Sequence, residues 1–191
     1  MLRLILTAFI LANITATAQT GHAIKRIIIP DRETAAERHA ANELVANIAM
    51  MAGQSVSVIK ESPAAKNEDG GRAIILGRTK SNLKQHNPDA WPTDTIYIGY
   101  GEGDIAILGQ VPQGTLFAAF EFLRDQGCRW YMPVTYHKLE VGRHIPKHAT
   151  LKLSGKPKKH SPSFSDRGWH TTPVMPGPHY RDWATRNGVN A

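Results

Sequence analysis

The sequence predicts an α/β fold. It is a two-layer sandwich in which a mixed sheet of about six strands carries two main helices on one face. Three observations predict it. Short β-branched runs, such as IKRIII at 24–29 and AIILG at 73–77, alternate with longer segments whose apolar residues recur at i, i+3, i+4 and i+7. Two strand-like runs, 95–100 and 104–108, are separated only by Gly101-Glu102-Gly103, which is a hairpin signal. A single stretch, GQVPQGTLFAAFEFLRDQGCRWYMP at 109–133, supplies a strand end, a turn, a helix and a further apolar run in succession.

Taken in order, Ile24 to Ile29 forms a first strand that Pro30 stops. Thr34 with Glu37 three residues on is a capping box, and Ala41, Leu44, Val45, Ile48 and Ala52 form the buried stripe of the helix that follows. Gly53 ends it, and Val56 to Ile59 is the second strand, parallel to the first across the helical crossover. The segment 62–71 reads as a loop, 73–77 as a buried strand, and 80–94, polar with two prolines, as surface chain. After the hairpin, Pro112 and Gly114 punctuate a turn, and the second main helix begins at Thr115. Leu116, Ala119, Phe120 and Leu123 make its apolar face, Phe117 widens that face, and Phe122 sits off it. Gly127 is the residue suited to the left-handed turn that closes the helix. Cys128 to Met132 then reads as a buried strand ended by Pro133. Residues 137–153 read as a loop and an edge strand, and the Lys/Pro-rich run at 152–162 as a solvated linker.

The first residues have a different composition. A basic Arg3, an apolar run from Leu4 to Ala12 and a small-x-small site at Ala16-Thr17-Ala18 match an export signal cleaved between Ala18 and Gln19, so the chain is expected to be secreted or periplasmic. The apolar run is too short to span a bilayer, and no membrane association is expected after cleavage. The one cysteine, Cys128, allows no internal disulfide, so an exported chain must rest on a hydrophobic core, which 41% apolar residues permit. The net charge is +7, with pI near 9.7. Much of the excess sits at Lys152, Lys156, Lys158 and Lys159, and together with the export signal this argues against a nucleic-acid partner.

The segment GTLFAAFEFLRDQGCRWYMP, together with AAERHAANELVANIAMMAG at 35–53, resembles the N-terminal α/β domain of secreted glycoside hydrolases. The similar proteins are α-glucuronidases, β-hexosaminidases and related bacterial glycosidase-like proteins. The resemblance implies an accessory domain at 19–155, after the signal at 1–18. It also implies that 156–191 holds a linker and the first β/α unit of an incomplete (β/α)8 barrel. In the resembling enzymes a P-x-F-x-x-R-G run, here Pro162 to Gly168, opens the first barrel strand, and His179 to Asn187 would be the first barrel helix.

That resemblance places Arg167 at the end of the barrel strand, where an arginine contacts sugar hydroxyls, with Trp169 and His170 as further substrate-binding candidates. A glycosidase needs two carboxyl groups flanking the bond it breaks, and in the resembling enzymes these lie on later barrel strands. Asp166 and Asp182 are the only acids after the linker, so no catalytic residue is assigned and the chain alone is expected to be inactive. A stand-alone glycan- or protein-binding module without catalysis is the alternative. Gly109-x4-Gly114-Thr115 has the placement of a phosphate loop but lacks its lysine, so the glycines are expected to serve the turn. His144 and His148 flank Pro146, and no H-E-x-x-H or Cys/His cluster occurs; neither metal nor other cofactor is expected. Arg129, Trp130, Tyr131 and Cys128 read as packing residues of the strand that carries them.

Overall fold

The computed structural model describes residues 23–62, 71–101, 103–131, 142–147, 150–164, 167 and 178–189. The elements in chain order are β1 (Ile24–Ile29), α1 (Ala35–Ala52), β2 (Ser57–Lys60), β3 (Arg72–Leu76), α2 (Lys80–His86), β4 (Ile96–Gly99), β5 (Ile105–Gly109), α3 (Pro112–Asp125), β6 (Arg129–Trp130), β7 (Arg143–His144), β8 (Lys158–His160) and α4 (Pro178–Arg186). Six strands form one sheet in the order β2-β1-β3-β5-β4-β8. β1 runs parallel to β2 and β3, and β3 runs parallel to β5. β4 turns back antiparallel on β5, as the Gly101–Gly103 hairpin requires, and β8 is antiparallel to β4 at the edge.

One core joins the sheet to both main helices. Leu44 and Ile48 of α1 and Leu116, Phe120 and Leu123 of α3 pack with Ile27, Ile29, Ile74, Leu76, Ile98, Ile105 and Ile107. Both helices therefore lie on one face, as the apolar periodicity predicts. A register shift between Ile24 and Arg26 changes the alternation of β1, so Ile24 and Ile27 both reach this core. Residues of opposite parity, Ile28, Ala73 and Ile75, form a smaller cluster on the other face. α1 begins at the expected capping box. The Thr34 N–H donates to Glu37 at 2.9 Å, and the Glu37 N–H donates to the Thr34 hydroxyl at 3.3 Å. It ends at Gly53 with φ 64°.

Four expectations need correction. The chain at 80–94 lies mostly at the surface, as expected, but it holds a helix and a buried residue that its composition does not predict. Thr79 caps a short helix, α2, and the buried Asn82 amide donates to the carbonyls of Ile75 and Gly77 at 3.0 and 2.8 Å. Phe122 is not off the buried face but fully buried, stacked under Tyr100 at 6.2 Å, because both flanks of α3 are covered. The strand after α3 is only Arg129–Trp130. It pairs with Arg143–His144 in a separate ribbon and does not join the main sheet. The edge strand of the six-stranded sheet comes from the Lys/Pro run, and within 137–153 the described residues hold β7, which pairs with β6 instead. Lys158–His160 needs only its backbone to pair with β4, and lysines at a sheet edge discourage pairing with other chains. The segments 1–22 and 132–141, with His148, lie outside the described residues.

Cys128 is buried, 3.4 Å from the Met51 sulfur, and burial pushes its thiol up to about 11. It is a packing residue, as its place after α3 predicts. Phe120 is 1% exposed and meets the edge of Trp130 at 5.5 Å. Truncating a buried phenylalanine costs ~3–5 kcal/mol, against a domain stability of ~5–15 kcal/mol. Phe120→Ala is therefore expected to lower the urea midpoint sharply or abolish folding. A variant with the parent's midpoint would mean that this face of α3 is not buried.

Candidate functional site

α3 covers β5 and part of β4 but stops short of the sheet edge. Beyond it the helix-side face of β4 and β8 is left open. The register pairs Ile96 with His160 and Ile98 with Lys158, so these four residues share that face. They floor a cleft of about 340 Å³. Phe117, Glu121 and Arg124 of α3 form one wall, and Pro162, Arg167, Asn187 and Gly188 close the other side. Asp94 stands at the end of the cleft, just before β4.

The cleft is apolar below and polar around its rim. The rim charges are paired. Arg124 donates to Glu121 at 2.9 Å and to the Arg186 carbonyl at 2.7 Å. Lys158 bonds Asp125, whose other oxygen accepts from the Tyr100 hydroxyl at 2.7 Å. Burial, reinforced by that bond to Asp125, raises the Tyr100 phenol above its ordinary value. Arg167 donates to the carbonyls of Gly188 at 3.0 Å and Phe164 at 2.9 Å, and to Asp94 at 3.3 Å. Its guanidinium lies 5.7 Å from the centre of the Phe117 ring. Asp94 has φ 60°, a left-handed conformation that Asp and Asn tolerate better than other side-chain-bearing residues.

Arg167 is thus placed at the rim of this cleft. Trp169 and His170 lie outside the described residues, as does Asp166. Sequence reasoning missed Asp94, Glu121 and Arg124. Glu121 and Arg124 are three apart on a predicted helix, which was a legible pairing signal. Asp94 meets Arg167 across 73 positions, and no local pattern reports that.

A second polar cluster ties α4 to the helix layer. Arg186 donates to Glu43 of α1 at 2.9 Å and lies 3.0 Å from Asp182 of α4. His39 sits 3.6 Å from Glu43, one turn away, and its ring meets Phe120 of α3 edge-on. The donor atoms of His39, Glu43 and Asp182 lie within 4.8 Å of one another. Arg186 bridges the two carboxylates, so a guanidinium already stands where a cation would. The indole N–H of Trp183 and the amide of Asn187 both donate to the Trp130 carbonyl, at 3.1 and 3.0 Å. A helix is present where 179–187 was expected to be one; it packs on α1, α3 and β6, and most of the expected barrel strand after Pro162 lies outside the described residues.

The fold is shared with solved structures. No family model matches the chain, and no curated protein does. A GH115 4-O-methyl-α-glucuronidase with specificity for decorated arabinogalactans superposes with a TM-score of 0.60 at 16% identity. The match covers 87% of this chain and 24% of that enzyme, so the chain spans about a quarter of its relative's length. A GH138 enzyme targeting pectin rhamnogalacturonan II matches at a TM-score of 0.42 and 12% identity, over 75% of this chain and 16% of that one.

The α4 cluster has a pH signature. The hydrogen bond to Glu43 raises the His39 imidazole above its ordinary 6.5, against the opposing effect of burial. Burial alone would raise Glu43, but His39, Arg186 and Asn47 together hold it below 4.5. A raised His contributes stability that is complete below 6.5 and lost as pH climbs through its folded value; a depressed Glu contributes above 4.5 and loses it on acidification. Amide protection of α4 by hydrogen exchange, corrected for intrinsic rates, is expected to be greatest between those values. It should fall as pH rises above 6.5. His39→Gln should remove the fall. An unchanged pH dependence in that variant would show that His39 does not hold α4.

Proposed function

We propose that this chain is the N-terminal α/β domain of an exported, glycosidase-related protein and serves as a non-catalytic support. The observation that carries the reading is the fold shared with a GH115 4-O-methyl-α-glucuronidase over 87% of this chain. The export-like segment at 1–18 and the P-x-F-x-x-R-G run at 162–168 support it from the sequence. In this reading 19–155 forms the accessory domain and 156–191 leads toward a barrel that binds and cleaves the carbohydrate.

The chemistry of the cleft agrees with support and not with bond cleavage. Hydrolysis of a glycosidic bond requires one carboxyl to protonate the leaving oxygen and a second to act as base or nucleophile. Asp94 and Glu121 are each engaged by a guanidinium, from Arg167 and Arg124. Such pairs suit holding hydroxyl groups better than passing a proton. That rim favours a second reading, a glycan-binding module without catalysis, in which Arg167, Trp169 and His170 contact sugar.

The purified chain is expected to release no aryl group from aryl β-N-acetylhexosaminides, aryl α-glucuronides or other aryl glycosides. Release above that of an Arg167→Ala, Glu121→Gln double variant would overturn the non-catalytic assignment and place the chemistry in the cleft.

A further inference from the structure

We propose that the cleft between α3 and the sheet edge is a binding subsite for a single neutral sugar ring or a polyhydroxylated ring of that size. The proposal rests on the glycan-binding reading above and adds the ligand's charge, its size and the residues that hold it. Size comes first. A volume of about 340 Å³ is at the small end of the range for small-molecule sites, ~300–1,000 Å³. It suits one ring and is too small for an extended oligosaccharide.

The lining then decides the chemistry. A pyranose presents an apolar C–H face and a rim of hydroxyls that both donate and accept. The cleft presents the complement. Ile96 and Ile98 offer an apolar floor and Phe117 an apolar wall, while Asp94 and Glu121 accept and Arg124 donates around the edge. A carboxylate has about four acceptor positions. Among the described residues Asp94 spends one on Arg167, and Glu121 serves Arg124 and, at 4.0 Å, Lys158. Both therefore retain positions for hydroxyl donors.

Charge disfavours anionic ligands. The three carboxylates Asp94, Glu121 and Asp125 are matched by Arg167, Arg124 and Lys158. An anion entering the cleft meets the carboxylates of Asp94 and Glu121 on its lining, whereas hydroxyl groups can donate to them. Asp94 is left-handed as the third residue of the Pro92–Thr95 turn, which the Thr95 N–H closes on the Pro92 carbonyl at 3.2 Å, and its carboxylate lines the cleft and bonds Arg167. The walls also come from two parts of the chain. Phe117, Glu121 and Arg124 precede the Lys/Pro run, and Arg167, Asn187 and Gly188 follow it. The subsite is complete only with the C-terminal segment docked.

The test is saturation-transfer NMR on the full chain with D-xylose, L-arabinose, D-galactose and D-glucuronate. Transfer to the ring C–H protons of at least one neutral sugar, and none to D-glucuronate, is expected. Asp94→Asn keeps the left-handed tolerance and Glu121→Gln keeps the shape. Each should weaken binding roughly tenfold, as the loss of a charged hydrogen-bond acceptor does. Lys80→Ala, far from the cleft, should bind like the parent. A folded parent that binds no neutral sugar, variants that bind as well as the parent, or tighter binding of D-glucuronate would each overturn the proposal. If aryl glycosides are untouched and no neutral sugar binds, the subsite fails while the support reading stands. If a neutral sugar binds and aryl glycosides are cleaved, the support reading fails while the subsite stands.

Discussion

Two glycine backbones in contact fix the position of α3, and most of the molecule follows from that contact. Gly109 is the last residue of β5 and Gly114 lies in the first turn of α3. A Cβ on Gly109 would lie 2.2 Å from the Gly114 carbonyl carbon, so no larger residue fits without moving backbone. The Thr115 hydroxyl accepts from the Gly109 N–H at 3.0 Å in a buried setting, and the next amide, Gln110, donates to the Thr95 carbonyl at 2.8 Å. The Gly-x4-Gly-Thr pattern therefore closes a strand-to-helix corner with its own hydroxyl. Once α3 is seated there, Leu116, Phe120 and Leu123 face the sheet, and Phe117, Glu121 and Arg124 stand over the uncovered ends of β4 and β8.

What the sequence made legible were the features encoded within one element. The capping box at Thr34 and Glu37, the stripe of α1, the left-handed glycine at 53 and the hairpin at 101–103 each depend on residues a few positions apart. Glu37 exceeds its expected role. Besides capping α1, it accepts from the Arg78 N–H at 2.9 Å and is 2% exposed, and a Cβ on Gly77 would collide with it. One carboxylate thus joins the start of α1 to the turn after β3. The misread features depend on long-range partners. Phe122 was placed off the buried face because a single stripe assumes one covered side. β8 was read as a linker because three charged residues carry no strand signal. Its pairing is supplied by β4, some 60 positions earlier, through backbone groups that composition does not register. The candidate site divides in the same way: Arg167 was legible through a motif, and its partners Asp94 and Phe117 were not.

The C-terminal segment is fastened to the domain mainly by polar groups. Arg167, Trp183, Arg186 and Asn187 make its contacts, and Ala184 is its fully buried apolar residue. Exposed ion pairs contribute little, about 0–1 kcal/mol each. These pairs are more enclosed, with Glu43 and Arg186 side chains 15% and 17% exposed, and several donors end on backbone carbonyls. Such an interface is modest in stabilisation but strict in direction. A planar guanidinium or an indole N–H meets its acceptor in one orientation, so α4 is set in register against Trp130 and Glu43.

The short edge strand carries the last part of that logic. Alternation sends Lys159 to one face of the sheet and Lys158 and His160 to the other. Lys159 lies 4.4 Å from the centre of the Trp91 ring, which packs with Tyr97 and helps cover the face away from the main helices. Tyr97 in turn lies so close to Gly99 that a Cβ there would meet its ring at 2.8 Å, so that glycine keeps the aromatic ring flat on the strand. Lys158 reaches Asp125 on the helix side and His160 borders the cleft. Three residues that composition marks as solvated therefore brace both layers, and two of them, Lys158 and His160, help floor the cleft. Their cationic side chains also leave the outer edge of β8 unsuited to a further strand, so the sheet ends where the cleft begins.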